Sequence, residues 1–336
     1  MKIILDAMGG DNAPAEVIKG ALEAIDLYED IEIILVGRES DIKRELGVNY
    51  NRDRLQIHNA EEVITMNDSP SRAIRYKKDS SIVRGISLLK EEKEAAFVSA
   101  GNTGAVMAAA LFGLGRLKGI KRPSILTTFP NITGQTIIMD NGANIDCKDE
   151  NLLQFAIMGQ IYARKVLGIE NPRTGLLSIG EEKEKGNQLV KDTYELLKND
   201  RRITNFIGNV EGRDIFNGSC DLIVCDGFVG NVVLKTTEGV ASFVFSLLKE
   251  AFTGSFRAKA GALLLKPYLK ALRDKIDYRQ YGGAPLLGVN GAVIIAHGSS
   301  DALAISNAIK VARETVKSKL VDEIQKEINQ GGEIDE

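Results

Sequence analysis

Apolar residues in this chain fall into short runs that end at glycine, and between the runs they recur at helical spacing. Lys2–Asp6 opens with Ile3-Ile4-Leu5 and closes on a carboxylate. The turn residues Ala7-Met8-Gly9-Gly10-Asp11-Asn12-Ala13 follow, and Pro14 suits a first helical position. Val17, Ile18, Ala21, Leu22 and Ile25 then share one helical face. The rhythm repeats: strands are predicted at Ile31–Val36, Ala95–Ser99, Ser124–Thr128, Gln135–Asp140, Thr174–Ile179, Leu222–Cys225 and Ala292–Ala296. Helices are predicted after Gly104 and at Leu152–Leu167, Leu189–Leu197 and Ala302–Val316. Strands alternating with helices predict an α/β fold: a mostly parallel sheet sandwiched by helices.

The chain has 336 residues, 44% of them hydrophobic, enough for a large core. With no linker-like stretch, residues 1–330 read as a single large α/β unit, with room for two lobes sharing one sheet. Residues 331–336 read as an acidic tail. The net charge of −3 lacks the basic excess of a nucleic-acid binder. Cys147, Cys220 and Cys225 make neither a disulfide framework nor a zinc ribbon, and only His58 and His297 are present. No metal site or cofactor is expected on this reading. The first apolar run is too short for a signal peptide, and no window reaches the roughly 18 apolar residues of a membrane span, so a cytoplasmic location is expected.

Ligands of parallel α/β sheets gather at the carboxyl ends of strands. Five glycine-bearing loops adjoin predicted strands. They are Asp6-Ala7-Met8-Gly9-Gly10-Asp11, Ser99-Ala100-Gly101-Asn102-Thr103-Gly104, Asp140-Asn141-Gly142-Ala143-Asn144, Cys225-Asp226-Gly227-Phe228-Val229-Gly230-Asn231, and Asn290-Gly291 with His297-Gly298-Ser299-Ser300 after its strand. Glycine lets backbone N–H groups approach an anion, and a helix start adds unpaired donors. One such loop alone is commonly a tight turn, with Asn102 or Asn231 as a helix cap. Taken together, the loops point to a shared cleft for an anionic ligand. None matches the dinucleotide or P-loop fingerprint.

Charged candidates are few. Lys183 and Lys185 lie in Gly180–Asn187, a strand-to-helix loop that suits either a cleft lysine or a solvated charge run. Arg72 and Arg75 lie in Ser69-Pro70-Ser71-Arg72-Ala73-Ile74-Arg75, and His297 ends an apolar strand. Cys225 reads as a buried strand-end thiol more readily than as a nucleophile. Residues 246–278 stand apart. From Ala251 to Ile276 six basic residues face one acid, a local charge of +5, and Gly254 and Gly261 punctuate what looks like an amphipathic helical hairpin. Arg257, Lys259, Leu263, Leu264 and Lys266 suit an anionic lipid surface or an acidic partner, and a dimer-packing arm fits equally well.

The combined motifs resemble the PlsX family of acyl-ACP:phosphate acyltransferases. Those motifs are Ile4-Leu5-Asp6-Ala7-Met8-Gly9-Gly10-Asp11, Ser99–Gly104, Cys225–Asn231, Gly282-Gly283-Ala284-Pro285-Leu286-Leu287-Gly288 and Ala296-His297-Gly298. The likeness runs through about residues 1–330. It implies a fold like that of isocitrate and isopropylmalate dehydrogenases and phosphate acetyltransferases. It also implies acyl transfer from acyl-carrier protein to inorganic phosphate, with the product passed to a membrane glycerol-phosphate acyltransferase for phospholipid synthesis. A homodimer held peripherally on the inner face of the cell membrane is implied as well. On that basis Asn102, Lys185, Asn231 and His297 are the candidate catalytic residues. Asp6, Gly9, Gly10, Asp11, Ser99, Gly101, Thr103, Gly104, Asp226, Gly227 and Gly230 are the candidate phosphate and substrate contacts. The alternatives are a phosphate acetyl- or butyryltransferase using acyl-CoA, an NAD-linked decarboxylating dehydrogenase, and a non-catalytic membrane scaffold.

Overall fold

The computed structural model describes residues 1–47, 50, 53–276, 278–280 and 282–332, with backbone alone for 271–276, 278 and 330–332. The first half runs β1 (Lys2–Asp6), α1 (Ala15–Leu27), β2 (Glu32–Gly37), α2 (Glu39–Leu46), β3 (Leu55–Asn59), α3 (Pro70–Tyr76), α4 (Ser81–Glu91), β4 (Ala95–Ser99) and α5 (Thr103–Gly113). A second series follows: β5 (Ser124–Pro130), β6 (Gln135–Met139), α6 (Asp149–Lys165), β7 (Thr174–Leu177), α7 (Gln188–Asn199), β8 (Phe206–Val210), α8 (Asp214–Asn217) and β9 (Leu222–Val224). The chain closes with α9 (Gly227–Thr253), α10 (Phe256–Ile276), β10 (Ala284–Leu287), β11 (Ala292–Ile295), α11 (Ala302–Lys317) and α12 (Leu320–Gly332).

One 11-stranded sheet holds all of this, in the order β3-β2-β1-β4-β11-β10-β5-β6-β9-β7-β8. The five strands from β3 to β11 are mutually parallel, and so are the four from β6 to β8. Between these lobes, β10 pairs antiparallel with both β11 and β5, and β5 pairs antiparallel with β6. Three reversals leave the two parallel lobes running in opposite directions. Their carboxyl ends therefore point opposite ways along the sheet.

Each lobe is covered on both faces, as its unbroken apolar strands require. In the first lobe, Ile3, Leu5, Ile33 and Leu35 pack under α1 and α11. Ile4, Val36 and Phe97 pack under α3, α4 and α5 on the other face. The second lobe buries Phe155, Ile161 and Leu197 of α6 and α7 against Ile137, Leu176 and Leu222. Its opposite face sets Ile138 and Ile223 beneath Val229 and Val233 of α9. Fully burying a side chain the size of Phe97 contributes about 1.5–3 kcal/mol.

The hairpin expected at 246–278 is longer at its start. Its first helix is α9, 27 residues that begin at Gly227, and past Gly230 none of them is buried. The chain reverses at Gly254 and Ser255 and returns as α10. Gly261 does not break this hairpin, because it lies inside α10, where nothing crowds the missing side chain. Val240, Phe243, Val244 and Leu247 of α9 and Leu263 and Leu264 of α10 are exposed. No described helix is long and apolar enough to cross a membrane. Of the expected tail, residues 331 and 332 end α12, and 333–336 lie outside the described residues.

Candidate active site

The first and second glycine loops meet the His297–Ser300 segment at the carboxyl end of the first lobe, while Asn290-Gly291 lies at the other end of β11, against Leu89 and Leu114. Asp6 ends β1 fully buried. Its carboxylate accepts the Ser99 hydroxyl at 2.6 Å and the Met8 N–H at 3.1 Å, with the Ser81 hydroxyl and the Gly9 backbone close by. Burial pushes the Asp6 carboxyl upward, and these donors partly restrain it. Ser99 Oγ in turn accepts the Gly101 N–H at 3.0 Å. A Cβ on Gly9 would lie 2.4 Å from Asp6 Oδ2 and 2.7 Å from Gly101 N, so only glycine fits between them. The Asp11 N–H donates to Gly298 O at 2.7 Å, and Asn12 Nδ2 reaches the carbonyls of Ser299 and Ser300. His297 is exposed on this last loop, with Nδ1 2.8 Å from Ser299 Oγ and accepting the Ser299 N–H.

Asn102 begins α5 from this cluster. Its Oδ1 accepts the Ala105 N–H at 3.1 Å, the usual N-cap geometry. Its Nδ2 donates to the carbonyls of Thr65, Met66 and Asp68 at 3.1–3.3 Å. The side chain is nearly buried and fully engaged, so it positions a loop instead of offering itself to a ligand. At the same helix start, the N–H groups of Thr103 and Gly104 have no partner among the described residues. Thr103 is exposed, and Gly104 sits against Pro70, where a Cβ would come within 2.6 Å of Cγ.

The third and fourth loops meet in the second lobe. Asp140 follows β6 and is buried. It accepts from Ile125 N at 2.9 Å, Ser124 Oγ at 3.0 Å, Asn144 N at 2.7 Å and Asn144 Nδ2 at 2.8 Å. Burial raises this carboxyl too. Gly227 N–H donates to Asn144 O, and Asp226 Oδ1 caps α9 by accepting the Val229 N–H at 2.9 Å. A Cβ on Gly230 would stand 2.0 Å from Asp140 O, so α9 can dock only through glycine. Asn231 is exposed one turn along, beside Gly142, whose φ of 92° favours glycine. Cys225 is buried there. Burial, then the charges of Asp226 and Asp140, push its thiol well up, so it is no ready nucleophile.

Lys185 lies between β7 and α7, and β7 is the neighbour of β9 on the same edge. It is exposed and forms no ion pair among the described residues. Lys183 of the same loop is paired with Glu195. The candidates thus form two groups, with Asp6, Gly9, Gly10, Asp11, Ser99, Gly101, Asn102, Thr103, Gly104 and His297 in one. Lys185, Asp226, Gly227, Gly230 and Asn231 belong to the other lobe. The one cleft expected from the sequence becomes two groups because β10, β5 and β6 reverse the strand direction. Asp6 and Asp140 are separated by five strand spacings, about 24 Å along the sheet.

Two features escaped the sequence reading. The Thr65–Asp68 loop walls the α5 start, and its only signal was polar turn chemistry. Asn141 is 6% exposed, and neither polar atom of its carboxamide has a partner among the described residues. The run Asp140-Asn141-Gly142 at a strand end was the signal for it.

The bilobal α/β sheet has the fold of solved phosphotransacylases. It matches a phosphotransacetylase from Streptococcus pyogenes with a TM-score of 0.64 at 16% identity, over 94% of each chain. A branched-chain phosphotransacylase from Enterococcus faecalis matches at 0.58 and 14% identity, over 94% of this chain and 99% of that one. Sequence shows the family. The family model described as fatty acid synthesis protein matches residues 1–323. The phosphate acyltransferase of Halothermothrix orenii is 63% identical over 99% of this chain and all of its own length. That of Pelotomaculum thermopropionicum is 53% identical over 98% of this chain and 95% of its own. The chain belongs to this fatty acid synthesis protein family, the PlsX phosphate acyltransferases, and is an acyltransferase.

Proposed function

We propose that the protein transfers a fatty acyl group from acyl-carrier protein to inorganic phosphate, releasing acyl phosphate for phospholipid synthesis. The observation that carries this reading is the helix start at Thr103 and Gly104, where two N–H groups are left over beside the joined glycine loops. The α9 start is a poorer anion site. Its Gly227 and Val229 N–H groups are already bonded, and two carboxylates, Asp140 and Asp226, stand next to it. Phosphate therefore belongs at α5.

A phosphate oxygen attacks the thioester carbonyl, a C–O bond forms, the C–S bond breaks, and the carrier leaves as its thiol. Backbone donors stabilise the intermediate oxyanion, and one such donor is worth about 3–4 kcal/mol. Holding both reactants in one place contributes much of the rest. His297 stands on the phosphate side, while Lys185 and Asn231 stand with the second lobe's loops, apart from a phosphate held at α5. The exposed stripe Val240, Phe243, Val244 and Leu247 suits a second copy of the chain, giving a dimer. The tip, with Arg257, Lys259, Leu263, Leu264 and Lys266, suits the inner membrane face, close to a glycerol-phosphate acyltransferase that consumes the product.

The test is incubation of purified protein with palmitoyl-carrier protein and labelled phosphate. Labelled acyl phosphate is expected. Product from acetyl-CoA but none from the carrier thioester would replace this reading with a phosphate acetyltransferase.

A further inference from the structure

Helix α3 and its flank carry a charge that the chain as a whole does not. Arg72, Arg75, Lys77 and Lys78 fall within seven residues that contain no acid, in a protein of net charge −3. Lys77 is committed: its ammonium donates to Asp68 Oδ2 at 2.6 Å and Val63 O at 2.8 Å. Arg72, Arg75 and Lys78 are exposed and form no ion pair among the described residues. Tyr76 is 67% exposed, and both guanidinium groups lie 5.9 Å from its ring centroid. Beside them lies an open, shallow cleft of about 200 Å³ lined by Asp68, Ser69, Arg72, Ala73, Tyr76 and Lys77.

Position gives this patch its meaning. Pro70 begins α3 and rests on Gly104, and Asn102 holds the Asp68 carbonyl just before it. The basic face is therefore fixed to the lip of the helix start assigned to phosphate. We propose that α3 is the docking face for the acidic carrier protein that delivers the acyl thioester, an inference that rests on the carrier-protein reading above. Exposed Arg and Tyr around a cleft are the residue types that anchor protein partners. Unpaired cations facing an acidic partner speed encounter and fix its orientation. A lipid surface fits less well, because α3 is short and offers a cleft in place of a protruding apolar face. The arm, with Leu263 and Leu264, has that apolar face, so carrier and membrane contacts fall on different parts of the molecule.

The experiment titrates acidic holo-carrier protein onto the full chain without turnover, at low and moderate salt. Arg72→Glu/Arg75→Glu is expected to weaken binding by about tenfold or more and to flatten its salt dependence. The KM for the carrier thioester should rise in step, with no change in the KM for phosphate. Lys259→Glu/Lys266→Glu on the arm should leave carrier affinity at the wild-type value. If the charge reversals perturb folding, Arg72→Gln/Arg75→Gln gives the same reading. Wild-type carrier affinity in a folded α3 variant overturns the proposal, as does loss of binding to phosphatidylglycerol vesicles with carrier affinity intact. A wild-type protein inert toward the carrier thioester overturns the donor assignment instead.

Discussion

Ser99 donates its hydroxyl hydrogen to the Asp6 carboxylate across 2.6 Å, tying the end of β4 to the end of β1 beneath two glycine loops. Ser99→Ala removes that donor from a fully buried acid. The expected loss is about 1–3 kcal/mol in urea unfolding. Burial holds the Asp6 carboxyl above its ordinary value, and the Ser99 bond favours the charged form. A raised carboxyl stabilises the fold below its unfolded pKa and loses that contribution as pH rises through the folded value. The variant raises it further, so the deficit should be larger at pH 7 than near pH 4. An equal deficit at both would show that Asp6 keeps its proton throughout.

Asn102 joins two tasks that substitution can separate. Asn102→Ala loses both the cap on Ala105 and the clamp on the Thr65, Met66 and Asp68 carbonyls, about 1–3 kcal/mol together. Asn102→Ser keeps a capping oxygen but has no amide to clamp the loop. It should recover most of the thermal stability while the KM for phosphate stays raised. Full recovery of both would leave the loop with no part in the site.

The glycine loops were legible because their signals are local. Gly9, Gly104 and Gly230 mark close backbone approaches, and Asn102, Asn187 and Asp226 each cap the helix that follows. Strand direction was not legible. Pro285 within β10 argues against a strand, yet β10 pairs on both sides and begins the reversal between lobes. β8 was masked by Gly208, whose φ of 93° accompanies a register shift. Nor does local pattern reveal that Asn102 would hold carbonyls 34–37 residues earlier in the chain. Caps and turns are written in neighbouring residues; partners across the sheet are not.

Cys225 sits beside the α9 start but is buried, and its thiol is held well above the usual range by that burial and by Asp226 and Asp140. Thiol reagents at pH 8 should leave it unlabelled in the native protein and label it once urea unfolds the chain. Cys225→Ala should retain wild-type turnover. Rapid native labelling that abolishes activity would instead assign it a covalent role.

Asp68 anchors the loop that Asn102 clamps. The Lys77 ammonium, then the Thr65 N–H, hold its carboxyl down at about 2. A depressed carboxyl adds stability above its unfolded value near 3.8 and loses it as pH falls through the folded value. Asp68→Asn should therefore be less stable than wild type at pH 7, with the gap closing between about pH 4 and pH 2. Urea midpoints across that range measure it. The Thr65 N–H, 2.7 Å from Asp68 Oδ2, should exchange faster in the variant at neutral pH. If the loop walls the phosphate site, the KM for phosphate rises along with that exchange rate. A stability gap that stays constant with pH would mean that Asp68 acts by packing and not by charge.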